Sequence, residues 1–163
     1  MSIIVSYDRM KDNKPDQIDK KMLAALQIDS SISQRELADK VGLSQNACWR
    51  RLQALNNEGV ITGSTIQLDR RQLGLGLVVF VMLRTRHHSA GWLKSFRNHV
   101  STIPEVVDFF RIGGDYDYML KVVTEDMASY DRVYQRLISK VELDSVTSYF
   151  AMEAIEEQRP LPL

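Results

Sequence analysis

The sequence predicts an α+β chain in two parts: a three-helix N-terminal domain, then a C-terminal domain of order β-α-β-β-α-β. Three observations predict it. Apolar residues recur at helical spacing from Asp16 to Leu55. Past Gly59 the period changes to that of alternating strands and amphipathic helices. Gly42 and Gly59 stand where helices commonly end on a left-handed residue. Composition permits this plan, since 163 residues with 44% apolar and 26% charged side chains suit one ordinary domain or two small ones.

Three apolar stripes mark the helices. Ile18, Met22, Leu23 and Leu26 form a first stripe, Leu37, Ala38 and Val41 a second, and Ala47, Cys48, Leu52 and Leu55 a third. Asp16 is placed to cap the first helix, with Asp19 in its first turn. Ser33 and Glu36 have capping-box spacing for the second, and Ser44 caps the third.

In the second part, Ser64 to Leu68 alternates polar and apolar, as a half-buried strand does. Leu73-Gly74-Leu75-Gly76 reads as the joint between domains. Leu77 to Arg84 follows as a strand apolar on both faces, then a helix with Trp92, Phe96 and Val100 on one stripe. Strands are expected over Val106 to Ile112, Tyr118 to Val123 and Val146 to Met152. Met127, Tyr130, Val133, Tyr134, Leu137 and Ile138 mark an amphipathic helix between the last two. The order is the split-βαβ, ferredoxin-like plan. The expected boundaries are an arm over 1–14, the helical domain over 15–63, a hinge strand and linker over 64–76, the ferredoxin-like domain over 77–153, and a tail over 154–163.

Several function classes fall away. The longest uninterrupted apolar run, Leu77 to Leu83, is seven residues, against the ~20 of a membrane-spanning helix. The first residues carry no export pattern. Cys48 is the single cysteine, so no internal disulfide and no multi-cysteine zinc site forms, which suits a reducing cytoplasm. With 21 basic and 21 acidic side chains, bulk charge does not identify a nucleic-acid binder. No hydrolytic Ser-His-Asp spacing and no phosphate-cradling Gly-Lys loop is present, so no cofactor, metal or catalytic residue is expected.

The local arrangement from Gln34 to Leu55 is more informative. Ala38 lies four residues after Gln34, and Gly42 four after that. A small residue lets the second helix approach the first, and a glycine makes the sharp turn. Cys48 packs the third helix back on the pair. This is the spacing of a helix-turn-helix, whose second helix enters the major groove of double-stranded DNA. The face opposite the apolar stripe carries Gln45, Asn46, Trp49, Arg50 and Gln53, whose amides and guanidinium suit base-edge readout. Arg51, beside the stripe, is expected to reach a phosphate, and Ser44 completes the expected DNA-contacting set. Trp49 is open to two readings, a thymine-methyl or sugar contact or a cover for the edge of the first helix. A plain three-helix bundle is the competing reading of the whole segment. Residues 1–74 hold 11 basic and 9 acidic groups, a surplus that points to two or more copies acting on one DNA.

From about Asp16 to Met152 the chain resembles the Lrp/AsnC, or feast/famine, family of transcription regulators. The resemblance is carried by Ile18-Asp19, Leu26-Gln27, Glu36-Leu37-Ala38, Gly42-Leu43-Ser44, Arg51-Leu52, Leu55 and Gly59-Val60-Ile61-Thr62-Gly63. Further on it includes Leu73-Gly74, Pro104-Glu105-Val106 and Gly113-Gly114-Asp115-Tyr116-Asp117-Tyr118. It implies a winged helix-turn-helix, a hinge strand, and a C-terminal effector and assembly domain that binds an amino acid. It also implies homodimers that assemble further, often into octamers. Two positions depart from the family pattern, Asn56 where Glu is usual and Ser31 where Arg is common; both lie outside the reading face.

The turn Gly113-Gly114-Asp115-Tyr116-Asp117 combines glycines that admit a ligand to the backbone with carboxylates that can receive an ammonium. As a bare sequence it reads equally as a β-turn chosen for its geometry. The resemblance implies effector binding there, with Thr147 and Ser148 as companions. The turn also resembles the Gly-Gly-Asp/Glu-Glu-Phe hairpin of diguanylate cyclases. Tyr116 and Asp117 replace its last pair, however, and only 89 residues follow residue 74. A metabolic enzyme or sensor on the same core, without DNA, is the alternative from another class. The Arg84-to-Ser89 loop with His87 and His88 reads as a solvated loop or as a tuner of effector choice. His99 reads as exposed, and Cys48 as a buried, inert thiol rather than a redox sensor.

Overall fold

The computed structural model describes residues 14–163. The arm expected over 1–14 lies, apart from Lys14, outside the described residues. The chain divides into two compact units. The first holds the described residues up to Ile66 together with Glu156–Leu163, and the second is Gln67–Ile155.

In the first unit the helices are α1 (Gln17–Ile28), α2 (Gln34–Val41) and α3 (Gln45–Asn57). Each begins at the expected cap. The Asp16 carboxylate accepts from the Ile18 and Asp19 N–H groups, and Asp19 returns the bond to the Asp16 N–H. Ser33 and Glu36 reciprocate in the same way at α2, and Ser44 Oγ accepts from the Ala47 N–H at α3. Met22, Leu37, Ala38 and Cys48 are buried together, with Ile18, Leu26, Val41 and Leu52 against them. Gly42 turns the chain between α2 and α3 at φ +71°, and the following Leu43 N–H bonds back to the Ala38 carbonyl. A Cβ at Gly42 would meet nothing within 4 Å, so backbone conformation and not space calls for glycine here. The terminal segment joins this unit by a reciprocal pair: the Leu161 N–H donates to Gln27 Oε1 (2.7 Å), and Gln27 Nε2 donates to the Leu161 carbonyl (3.2 Å).

The second unit contains β1 (Leu77–Arg84), α4 (Ala90–Val100), β2 (Val106–Arg111), β3 (Tyr118–Thr124), α5 (Met127–Ile138) and β4 (Ser145–Phe150). The antiparallel sheet has order β2-β3-β1-β4. Val79, Val81, Leu83, Leu120 and Val122 share a core with Phe96 and Val100 of α4 and Tyr130, Val133 and Leu137 of α5. Both helices therefore cover the same sheet face. Phe96 is completely buried, with the rings of Trp92, Phe109 and Tyr118 at 5.0–5.4 Å. The register puts Phe80, Met82, Phe110 and Tyr149 on the opposite face, where Phe110 and Tyr149 are about half exposed.

Two expectations are corrected here. Ser64 to Leu68 forms no strand, and Ile66 and Leu68 are 77% and 55% exposed. A strand needs a hydrogen-bonded neighbour, and no described segment of the same chain pairs with this one. His99 is half-buried, not exposed: its Nε2 lies 2.8 Å from the Arg136 carbonyl and 3.1 Å from that of Leu137. Since carbonyls only accept, Nε2 carries the proton and caps the end of α5.

Candidate DNA-reading helix and effector turn

The α3 stripe fixes which side chains face outward. With Cys48 and Leu55 buried and Leu52 half-buried, Gln45, Asn46, Trp49, Arg50 and Gln53 are all exposed, Trp49 at 48%. Ser44 is exposed at the helix start, its oxygen engaged by the cap. Arg50 makes no ion pair with another described residue, so its fork of donors is available to an outside partner.

Arg51 has a different situation from the one its sequence position suggests. Its Nη1 lies 2.8 Å from both Asp16 Oδ2 and Asp19 Oδ1, tying α3 to the first turn of α1. The Asp19 and Asp16 carboxylates hold the guanidinium above its ordinary pKa. The Asp19 backbone N–H, then Arg51 itself, lower that of Asp16. A phosphate would have to share Arg51 with two carboxylates. Its role as a pin was hidden because the pair is non-local; two acids in the opening turn of α1 were the one available signal.

Cys48 is fully inaccessible to solvent, and burial raises its thiol pKa, which keeps it in the un-ionised, unreactive form.

In the second unit the turn from Ile112 to Asp117 closes through the Ile112 N–H and the Asp117 carbonyl (2.9 Å). Gly114 has φ +119°, which an L side chain rarely adopts, and a Cβ at either Gly113 or Gly114 would meet nothing within 4 Å. The backbone of the turn is thus open to approach. Asp117 braces the end of β1, since its N–H donates to the Leu83 carbonyl (2.8 Å) and its Oδ2 accepts from the Thr85 N–H (2.8 Å). Asp115 is exposed, and its carbonyl accepts two bonds from Arg84, from Nε at 2.8 Å and Nη2 at 2.6 Å. The Arg84 guanidinium also lies 5.7 Å from the centre of the Tyr116 ring.

Tyr116 OH reaches Thr147 Oγ1 at 3.5 Å. The Thr147 hydroxyl first, then that of Tyr149 and the charge of Arg84, lower the Tyr116 phenol pKa. Ser148 does not join them. Neighbouring strand residues point to opposite faces, and Ser148 Oγ is bonded to Tyr130 OH on the helix side. The structure therefore gathers Gly113 to Asp117 with Thr147, separates Ser148, and adds Arg84, which the sequence showed only as the end of a strand.

The His87–His88 loop is anchored on one side. His87 stacks on Trp92 with ring centres 6.3 Å apart, and its Nε2 is 3.3 Å from Glu142. Arg86, His87, Glu142, Leu143 and Asp144 line a cleft of about 260 Å³. No cluster of three potential metal ligands occurs among the described residues.

A capped helix-turn-helix with an outward polar third helix, joined in one chain to a ferredoxin-like domain, defines a DNA-binding regulator with a ligand-binding domain. Comparison with known proteins makes the class specific. A winged helix-turn-helix DNA-binding model matches residues 15–62, and the Lrp/AsnC ligand binding domain model matches residues 78–161. The chain belongs to the Lrp/AsnC family of transcriptional regulators. It is similar to the DNA-binding transcriptional activator DecR of Escherichia coli, 44% identical over 149 residues, covering 91% of this chain and 98% of that one. Among solved structures, an AsnC family transcriptional regulator from Agrobacterium tumefaciens is 47% identical with a TM-score of 0.86, covering 90% of this chain and 96% of that one. A transcriptional regulator of Neisseria meningitidis, solved as a complex with L-Met, is 29% identical with a TM-score of 0.84, covering 91% and 97%. The chain is a regulator and not an enzyme, so both the metabolic-enzyme and the cyclase readings lapse.

Proposed function

We propose that this regulator reads double-stranded DNA through α3 and that a free amino acid bound at the 113–117 turn changes its assembly or its grip on DNA. The observation that carries the first half is the outward face of α3, where Gln45, Asn46, Trp49, Arg50 and Gln53 are exposed together above a buried stripe. Amides and a guanidinium there supply paired donors and acceptors for base edges. Ser44 supports the helix start, and Arg51 contributes mainly by holding α3 on α1.

The second half rests on the open backbone of the turn and the exposed Asp115 carboxylate, with Tyr116 and Thr147 alongside. The Neisseria relative solved with L-Met makes an amino acid the chemical class to test first. Two copies pair through the sheet face carrying Phe80, Met82, Phe110 and Tyr149, because α4 and α5 both lie on the other one. Such dimers assemble further, an octamer being the expected size. No helix of the described residues is long and apolar enough to cross a membrane, and the working place of such a regulator is the cytoplasm.

The test is a DNA titration on a selected operator, with and without each common L-amino acid, in the wild type and Asp115→Ala. One amino acid is expected to shift the wild-type curve by at least threefold, and Asp115→Ala to abolish that shift while keeping basal affinity. A shift unchanged in Asp115→Ala places the pocket elsewhere.

A further inference from the structure

We infer that Arg84 is the carboxylate-recognising residue of the effector site, the positive partner that lets the turn hold a zwitterion. This rests on the reading of the 113–117 turn as an amino-acid site, and it changes which groups do the binding.

The turn carries two carboxylates, Asp115 and Asp117, within three residues. A free amino acid brings one ammonium and one carboxylate. Asp115 suits the ammonium, but two acidic groups repel the α-carboxylate, and the backbone N–H groups of Gly113 and Gly114 would have to overcome that alone. The Asp117 N–H is already bonded to the Leu83 carbonyl. Arg84 is a cation hydrogen-bonded to this turn, 2.6–2.8 Å from the Asp115 carbonyl.

Its geometry favours a ligand role over simple bracing. Both bonds to Asp115 use Nε and Nη2, which leaves the Nη1 side of the fork for an outside acceptor. The side chain is exposed, although two bonds and the Tyr116 ring fix its position. A pre-positioned guanidinium loses little rotamer freedom when a carboxylate arrives. The Arg84 fork is bonded to the backbone of Asp115, the same residue whose carboxylate suits the ammonium, so one short stretch of the turn offers groups for both ends of an α-amino acid. The role of Asp117 follows as well: by holding the Thr85 N–H it fixes the end of β1, and so the starting point of the Arg84 side chain. Asp117 is thus a positioning residue and Asp115 the ammonium acceptor.

The experiment uses the full chain and paired probes: each common L-amino acid, its α-carboxamide, which lacks the carboxylate charge, and its N-acetyl derivative, which lacks the ammonium. Binding is measured by calorimetry for the wild type, Arg84→Gln and Arg84→Lys. The wild type is expected to prefer the free acid over the amide by about 10- to 100-fold, the range for hydrogen bonds to a charged group. In Arg84→Gln that preference should collapse to about twofold, while the preference for the free amine over the N-acetyl form persists and shows the rest of the site intact. Arg84→Lys should keep part of the acid preference, since charge remains but the fork is lost. An acid-to-amide ratio in Arg84→Gln equal to the wild-type ratio overturns the role of Arg84 and leaves the turn as the site. Loss of amine discrimination together with acid discrimination in both variants also overturns it, as Arg84 would then only brace the turn. If no amino acid binds the wild type, the effector reading and this inference fall together.

Discussion

Replacing Gly42 by alanine isolates one conformational angle in the DNA-binding unit. Gly42 sits at φ +71°, and the added Cβ would meet nothing within 4 Å. Collision with the rest of the protein therefore contributes nothing. What remains is the local crowding of Cβ against its own backbone in the left-handed region, about 1–2 kcal/mol. Against this, alanine stiffens the unfolded chain and returns about 0.4–1 kcal/mol. The net cost is about 0–1.6 kcal/mol. Asparagine, which tolerates this region, should cost roughly half as much. The chain's two tryptophans divide conveniently, Trp49 on α3 and Trp92 in the second core. Urea unfolding followed by Trp49 fluorescence in a Trp92→Phe background thus reports the first unit alone. A loss above about 3 kcal/mol would mean steric crowding that the structure lacks. Equal losses for alanine and asparagine would refute the argument from φ.

Three further outcomes follow from the packing. Phe96→Ala removes a completely buried ring that touches three others and should cost about 3–5 kcal/mol, read from the melting of the second unit; a loss below about 1 kcal/mol would contradict its place in the core. Burial raises the Cys48 thiol pKa, so the unfolded thiol ionises first as pH climbs. Its contribution to stability is complete below the ordinary value of about 8.5 and disappears as pH rises through the native one, and iodoacetamide at about pH 8 should label it only as fast as the unit opens. Phe110→Lys puts a charge on the sheet face opposite α4 and α5 and should shift light scattering toward smaller species, whereas unchanged mass would remove that face from the assembly.

What the sequence made legible was local. Capping residues, the Ala38–Gly42–Cys48 spacing and the outward set on α3 follow from helical period alone, because each depends on neighbours a few residues away. The Arg51 pin to Asp16 and Asp19, the His99 cap on α5 and the Gln27–Leu161 pair join residues 32 to 134 positions apart, which periodicity does not register. Ser64 to Leu68 shows the opposite failure, an alternation that is real but whose partner strand the single chain does not supply. Ser148 was decidable from the sequence, since a residue adjacent to Thr147 on a strand faces the other way. Arg84 was not, because only the sheet register brings the end of β1 to the 113–117 turn.

If α3 reads the bases, removing its outward side chains lowers the ratio of affinities for a selected operator and for random DNA. That ratio is measured at fixed salt for the wild type, Arg50→Ala and Asn46→Ala. Loss of a base-edge contact should weaken operator binding by about 1–3 kcal/mol and lower the ratio at least fivefold, with the melting temperature of the first unit unchanged. A ratio unchanged in both variants would contradict the account and move base recognition off α3.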